Sequence, residues 1–194
     1  MLRKQIACGL AAAVVLNLCL AAAAAEDEKT VEVKLSDNAS LTVPAAWTKQ
    51  EPTSSMRKAQ FSIAAAEGDK SPAELVVFSF GGPAGGVDAN VTRWINQFDA
   101  KDRKSTVTSG ETKTGKYVVA EISGTYNMPV GPPIAGQSKA VPGSRVINVM
   151  FTSGEEVYFL KLAGGDKTVA AAADALRASF GGDKSKEKEY KAPE

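Results

Sequence analysis

The segment FSFGGPAGGVDANVTRW, Phe78 to Trp94, is the first place where residue types and spacing could do chemistry. An apolar strand runs into a loop with four glycines and then into a helix, the layout of a phosphate cradle. Gly81 and Gly86 have the separation of a G-x-x-x-x-G-K-[ST] loop, but Val87 and Asp88 stand where lysine and serine or threonine are required. The aspartate would repel an anion at the helix end that should attract one, and Pro83 removes a backbone donor. The pattern G-x-G-x-x-G fails too, because Pro83 and Ala84 lie two residues after Gly81 and Gly82. The glycines are read instead as a tight corner between a buried strand and a sheet face.

Paired carboxylates are the next candidates. Glu155 and Glu156 sit at a hairpin turn, and Asp99 and Asp102 in a charged loop. Two acids can run glycoside hydrolysis, but these lie among lysines on segments read as exposed. The spaced acidic pattern of a calcium loop is missing. Arg57-Lys58 before Gln60-Phe61 could grip an anionic partner or be a solvated strand edge. Asn38-Ala39-Ser40 and Asn90-Val91-Thr92 fit a glycosylation sequon and are read as chance.

The N-terminal 25 residues have the order of a secretory signal. Arg3 and Lys4 precede an apolar run from Ile6 to Leu20, and Ala23-Ala24-Ala25 offers a cleavage site before Glu26. The run is shorter than the roughly 20 residues that span a bilayer. Cys19 follows Leu18, too large for a lipoprotein site. A secreted or periplasmic chain of 169 residues is expected, with no membrane association after cleavage. Loss of the leader leaves 21 bases against 22 acids, a side-chain charge of −1 that attracts neither nucleic acid nor anionic membrane. Cys8 and Cys19 leave with it, and the chain has no histidine. A mature chain of that composition has no disulfide, thiolate nucleophile, Ser-His-Asp triad or His/Cys metal site. No cofactor and no metal is expected.

The elements follow from periodicity. TVEVKL (30–35) alternates at period two and pairs with 40–43 as a hairpin. Strands are predicted over 60–65, 74–80, 116–126, 145–152 and 156–163, and LVVFSF is apolar at both parities, so it is buried on both faces. Residues 99–109 read as loop or edge. Val91, Trp94, Ile95 and Phe98 form one stripe of a helix over 87–98, with Asp88 as its N-cap. Val169, Ala173, Leu176 and Phe180 do the same for a helix over 167–180 capped by Asp166. A single domain over 26–182 is expected, followed by a disordered charged tail, 183–194.

The N-terminal hairpin ends in V-P-A-A-W (Val43 to Trp47), and the last strand and helix read YFLKLAGGDKTV (Tyr158 to Val169). In this order of elements, over most of residues 30–180, the sequence resembles the PsbP-like fold family. That family includes photosystem extrinsic proteins, the nuclear Ran-release factor Mog and exported bacterial proteins such as DcrB. The resemblance implies an α+β fold, an antiparallel β-sheet with two packing helices in a PsbP-like sandwich, and a non-catalytic accessory or binding role. It places no functional residue.

The expected function is that of an exported, non-catalytic module binding an unknown protein or small ligand. Two other readings stay open: a small carboxylate-dependent hydrolase, marked by a buried acid with raised pKa, and a carrier of an apolar ligand. The carrier would hold its ligand between sheet and helices among aromatics such as Phe78, Trp94 and Phe159. Residues 127–143, with four prolines and three glycines, read as a long structureless loop. Met128, Val130 and Ile134 beside Lys139 and Arg145, with Arg57 elsewhere, are the candidate partner surface. A plain linker covering a sheet edge is the other reading of that loop.

Overall fold

The computed structural model describes residues 29–80, 85–131 and 136–191. Strands β1 (Thr30–Ser36) and β2 (Ala39–Pro44) form an antiparallel ribbon. Their alternation turns Val33, Leu35, Leu41 and Val43 to one side, where they are buried. Pro44 ends the ribbon, having no N–H to extend it.

Eight further strands make one sheet: β3 (Thr48–Gln50), β4 (Arg57–Ile63), β5 (Ala73–Ser79), β6 (Lys104–Glu111), β7 (Lys116–Pro129), β8 (Ser138–Ser153), β9 (Glu156–Gly165) and β10 (Lys188–Glu189). Their order is β10-β6-β7-β8-β9-β5-β4-β3, and every neighbouring pair is antiparallel. Two helices complete the fold, α1 (Val87–Ile95) and α2 (Asp166–Ser179). The class is α+β, as the element order led one to expect.

The sheet is covered on both faces, so its central strands are apolar at both parities. On one face, the β1–β2 ribbon and α2 pack on Leu75, Val77, Val149, Leu160 and Leu162. On the other, α1 packs Val91 and Trp94 against Val118, Ala120, Ile122, Val146 and Phe159. Gly164 lets the end of β9 press on β5, since a Cβ there would stand 2.6 Å from that of Ala73.

Four expectations need correcting. Residues 127–143 are not a structureless loop. β7 and β8 run through most of them as a two-stranded arm, with Met128 opposite Lys139 and Pro129 opposite Ser138. Pro142 is tolerated because the register shifts between Gly124 and Tyr126, so Pro142-Gly143 falls in a bulge where no ladder donor is needed. Gly143 takes φ 68° there. The charged tail is ordered through Lys191: a 3₁₀ turn (Lys184–Lys186) leads into β10, which pairs with the edge of β6.

The two helix caps also differ. Gly86 and Gly165 hold the N-cap positions, and neither helix has a side-chain cap of its own. Asp69 supplies the missing acceptor for α2 from a distant turn, receiving the Thr168 N–H (2.7 Å) and hydroxyl (2.6 Å). Those bonds hold its carboxyl below the usual carboxylate range. Asp88 lies in the first turn of α1 and accepts from the Tyr190 hydroxyl at 2.7 Å.

Candidate functional site: an aromatic cleft beneath α1

α1 packs on β7, and Trp94 of its apolar stripe reaches across to Phe159 of β9. Gln97, two residues past the helix, is pinned on both sides of its peptide. Its N–H donates to the Trp94 carbonyl (3.2 Å) and its carbonyl accepts from Asn127 (2.8 Å). Phe98 then bridges to Tyr126. This turn roofs a cavity of about 210 Å³.

Four aromatic rings wall it. Phe159 of β9 meets Trp94 edge-on at 6.3 Å and Phe80 at 5.5 Å. Phe78 of β5 stacks on Phe80 at 6.1 Å with the planes 4° apart. Phe80 is 55% exposed and forms an apolar lip. Phe78, Trp94 and Phe159, the aromatics expected of an apolar-ligand pocket, thus line one cavity.

Its polar end is built by strand register. Asn148 of β8 stands directly opposite Lys161 of β9, and both point to the α1 face. Asn148 is 3% exposed, and its Nδ2 has no hydrogen-bond partner among the described residues. The buried Oε1 of Gln97 has none either. Each such atom costs about 1–3 kcal/mol, so two at one cavity mark a place not built for stability alone. Lys161 Nζ donates to the Tyr126 hydroxyl at 2.7 Å and sits 5.1 Å from that ring's centre. Arg93, at the rim, donates to Asn90 Oδ1 at 2.6 Å. No acid among the described residues lines the cavity.

Two larger hollows, about 540 and 310 Å³, lie beside α2 and the C-terminal segment. Their charges are already paired. Arg177 and Glu187, 4% and 3% exposed in their side chains, meet at 2.8 Å. Glu121 lies 3.6 Å from Arg177, and Thr108 donates to Glu187 at 2.6 Å. This network fastens the C-terminal segment to the sheet.

The residues read from the sequence as a partner surface do not converge. Met128 (39% exposed) and Lys139 pair across the tip of the arm. Val130 is partly buried and donates to Gln137 at 3.0 Å. Ile134 lies outside the described residues. Arg145 is held between Glu121 and Asp166, the latter at 2.9 Å. Arg57 lies on β4, three strands from β8, over the Phe78 ring at 5.7 Å and bonded to Gln60 at 2.8 Å.

Of the acids weighed as catalysts, Glu155 is exposed at the β8–β9 turn and Asp99, Asp102 and Glu156 are structural acceptors. Asp102 accepts from Thr125, and Glu156 from Tyr158. Hydrogen bonds to these partners lower both carboxyls. Asp183, bonded to Lys186 and Ser185, is lowered to about 2. These shifts are opposite to that of a general acid.

No protein-family model matches the sequence, and no curated protein does. Among solved structures, the chain is similar to cyanobacterial PsbP (CyanoP) from Synechocystis sp. PCC 6803. The TM-score is 0.49 at 12% identity, covering 86% of this chain and 96% of that one. It is also similar to PA94 of Pseudomonas aeruginosa, a protein of unknown function described as a candidate regulator. There the TM-score is 0.42 at 12% identity, over 77% of this chain and 92% of that one. These are likenesses of fold and bring no ligand, partner or activity to this chain.

Gln97, Asn148, Lys161, Arg93 and Phe80 were not among the residues singled out from the sequence. Two carried a signal. In RVINVMF, Asn148 shares parity with Val146 and Met150, and in YFLKLA, Lys161 shares parity with Phe159 and Ala163. A polar side chain at a core parity asks for a partner.

Proposed function

We propose that this chain is an exported, non-catalytic binding module that takes a small ligand with an apolar body in the cleft beneath α1. The observation that carries the reading is the pair of buried, unpartnered amide atoms, Asn148 Nδ2 and Gln97 Oε1, at a cavity walled by four aromatic rings. Apolar walls with a few convergent polar groups are the usual make-up of a ligand pocket. The lowered carboxyls of Asp69, Asp102, Glu156 and Asp183 favour binding over acid–base hydrolysis. A thermal-shift screen of small aromatic compounds, neutral and anionic, run on the wild type and on Asn148→Leu, tests the reading. Compounds that stabilise only the wild type support it; equal stabilisation of both, or none, removes the cleft as the binding site. Export is checked separately by intact mass, which should start at Glu26.

A second reading, contact with a protein, has one observation behind it. The arm carries exposed Met128 beside Lys139, and the outer edge of β8 from Ser138 to Gly143 pairs with no strand among the described residues. Shortening the arm beyond Asn127 and Ala140 should abolish capture of such a partner and leave the fold intact.

A further inference from the structure

From the same cleft we infer that the ligand is a small aromatic carboxylate carrying a ring N–H or O–H; this rests on the reading of the cleft as the binding site. The charge argument comes first. Among the described residues, Lys161 and Arg93 are the charged groups lining the cavity, and both are basic. Neither forms an ion pair with an acid among the described residues, whereas the more buried Arg145 and Arg177 each hold two carboxylates. Lys161 has three donor hydrogens and spends one on Tyr126. A ligand anion supplies the counter-charge that the chain withholds.

Hydrogen-bond complementarity fixes the head group further. Asn148 and Lys161 are a directly opposed cross-strand pair, so their Cβ atoms lie about 5 Å apart. An Nδ2 donor and an Nζ donor lining one cavity suit the two oxygens of one carboxylate. Gln97 reaches the same cavity from the roof with an acceptor, Oε1. The ligand must therefore also present a donor, on the side facing α1.

Size and wall chemistry fix the body. The cavity is about 210 Å³, against the roughly 150 Å³ of an engineered apolar cavity that accommodates benzene. One ring or a fused pair fills it. Edges from Trp94 and Phe80 around Phe159 suit a flat π system, which stacks without further ordering of the walls.

The test uses three probes of one shape and different charge: indole-3-acetate, indole and tryptamine. Side-chain amide signals of Asn148 and Gln97 and the indole N–H of Trp94 are followed by NMR during titration of the full chain. Indole-3-acetate should bind about tenfold or more tighter than the other two and move all three signals. In Lys161→Met that preference should shrink to about threefold or less. Thermal melts of the variant establish that it is folded, and Arg93→Gln gives a second removal of charge if it is not. Indole binding as tightly as the anion at these residues would keep the cleft and overturn the carboxylate inference, as would tryptamine binding best. An anion that moves other signals only, or no movement with any probe, would overturn both.

Discussion

Replacing Asn148 by leucine should make the protein more stable and unable to bind. The side chain is 3% exposed, and its Nδ2 bonds to nothing among the described residues. In the folded state that donor forfeits its hydration without return, a cost of about 1–3 kcal/mol. Leucine has a similar volume and faces Ala120 on one side and the Lys161 stem on the other, so it adds apolar contact and removes the orphan. The expected gain is about 1–2 kcal/mol, or a rise in Tm of about 2–8 °C for a domain of this size. Gln60→Leu is the matched control. Gln60 is also buried, but its amide accepts from Arg57 at 2.8 Å and donates to Glu74 at 2.7 Å and Gln50 at 3.2 Å. Its loss strands those partners and should destabilise by about 1–3 kcal/mol. Urea denaturation followed by tryptophan fluorescence measures both variants. If Asn148→Leu destabilises by more than about 1 kcal/mol, its amide has a structural partner and the reasoning from orphaned atoms fails.

Three further outcomes are expected. Trp94→Ala, which removes a 5% exposed ring from the α1 face, should cost about 3–5 kcal/mol in the same denaturation; a cost under about 1 would place the ring outside the core. Arg177→Met leaves Glu187 buried without its partner and should cost about 3–5 kcal/mol, with faster amide exchange in residues 184–190; unchanged exchange would show that the ion pair does not hold the segment. The carboxyls of Asp69, Asp102, Glu156 and Asp183 are all lowered on folding, the last to about 2. Their contribution is present above the unfolded carboxylate range and disappears as pH falls from about 4 toward 2. With no histidine in the chain, the urea midpoint should stay level between about pH 6 and 8, and a loss there would contradict this assignment.

The helix stripes, the alternating strands and the both-parity apolar run of β5 were readable because each is a pattern among near neighbours. Val91, Trp94 and Phe98 are three or four residues apart, and backbone geometry alone puts them on one side of α1 and its final turn. The same logic excluded a phosphate loop, since Val87 and Asp88 are local facts. Local signals also misled. Four prolines and three glycines in 127–143 looked like a break, but a register shift far along the ladder gave Pro142 a place that needs no donor. The charged tail looked disordered because Glu187 finds its counter-charge on α2 and its hydroxyl donor on β6, and neither is visible from its own neighbours.

The cleft belongs to the tertiary structure for the same reason. Phe80 comes from just past β5, Gln97 from the turn after α1, Asn148 from β8 and Lys161 from β9. Sequence fixed their chemistry and their parity. Which residue stands opposite which depends on strand register, and a slip of one residue would send Asn148 and Lys161 to the α2 face. Register is set by the packing of both faces at once, through pairings between strands far apart in the chain, so only the folded molecule could bring to one aromatic cavity two amide atoms without a hydrogen-bond partner and two cations without an ion pair among the described residues.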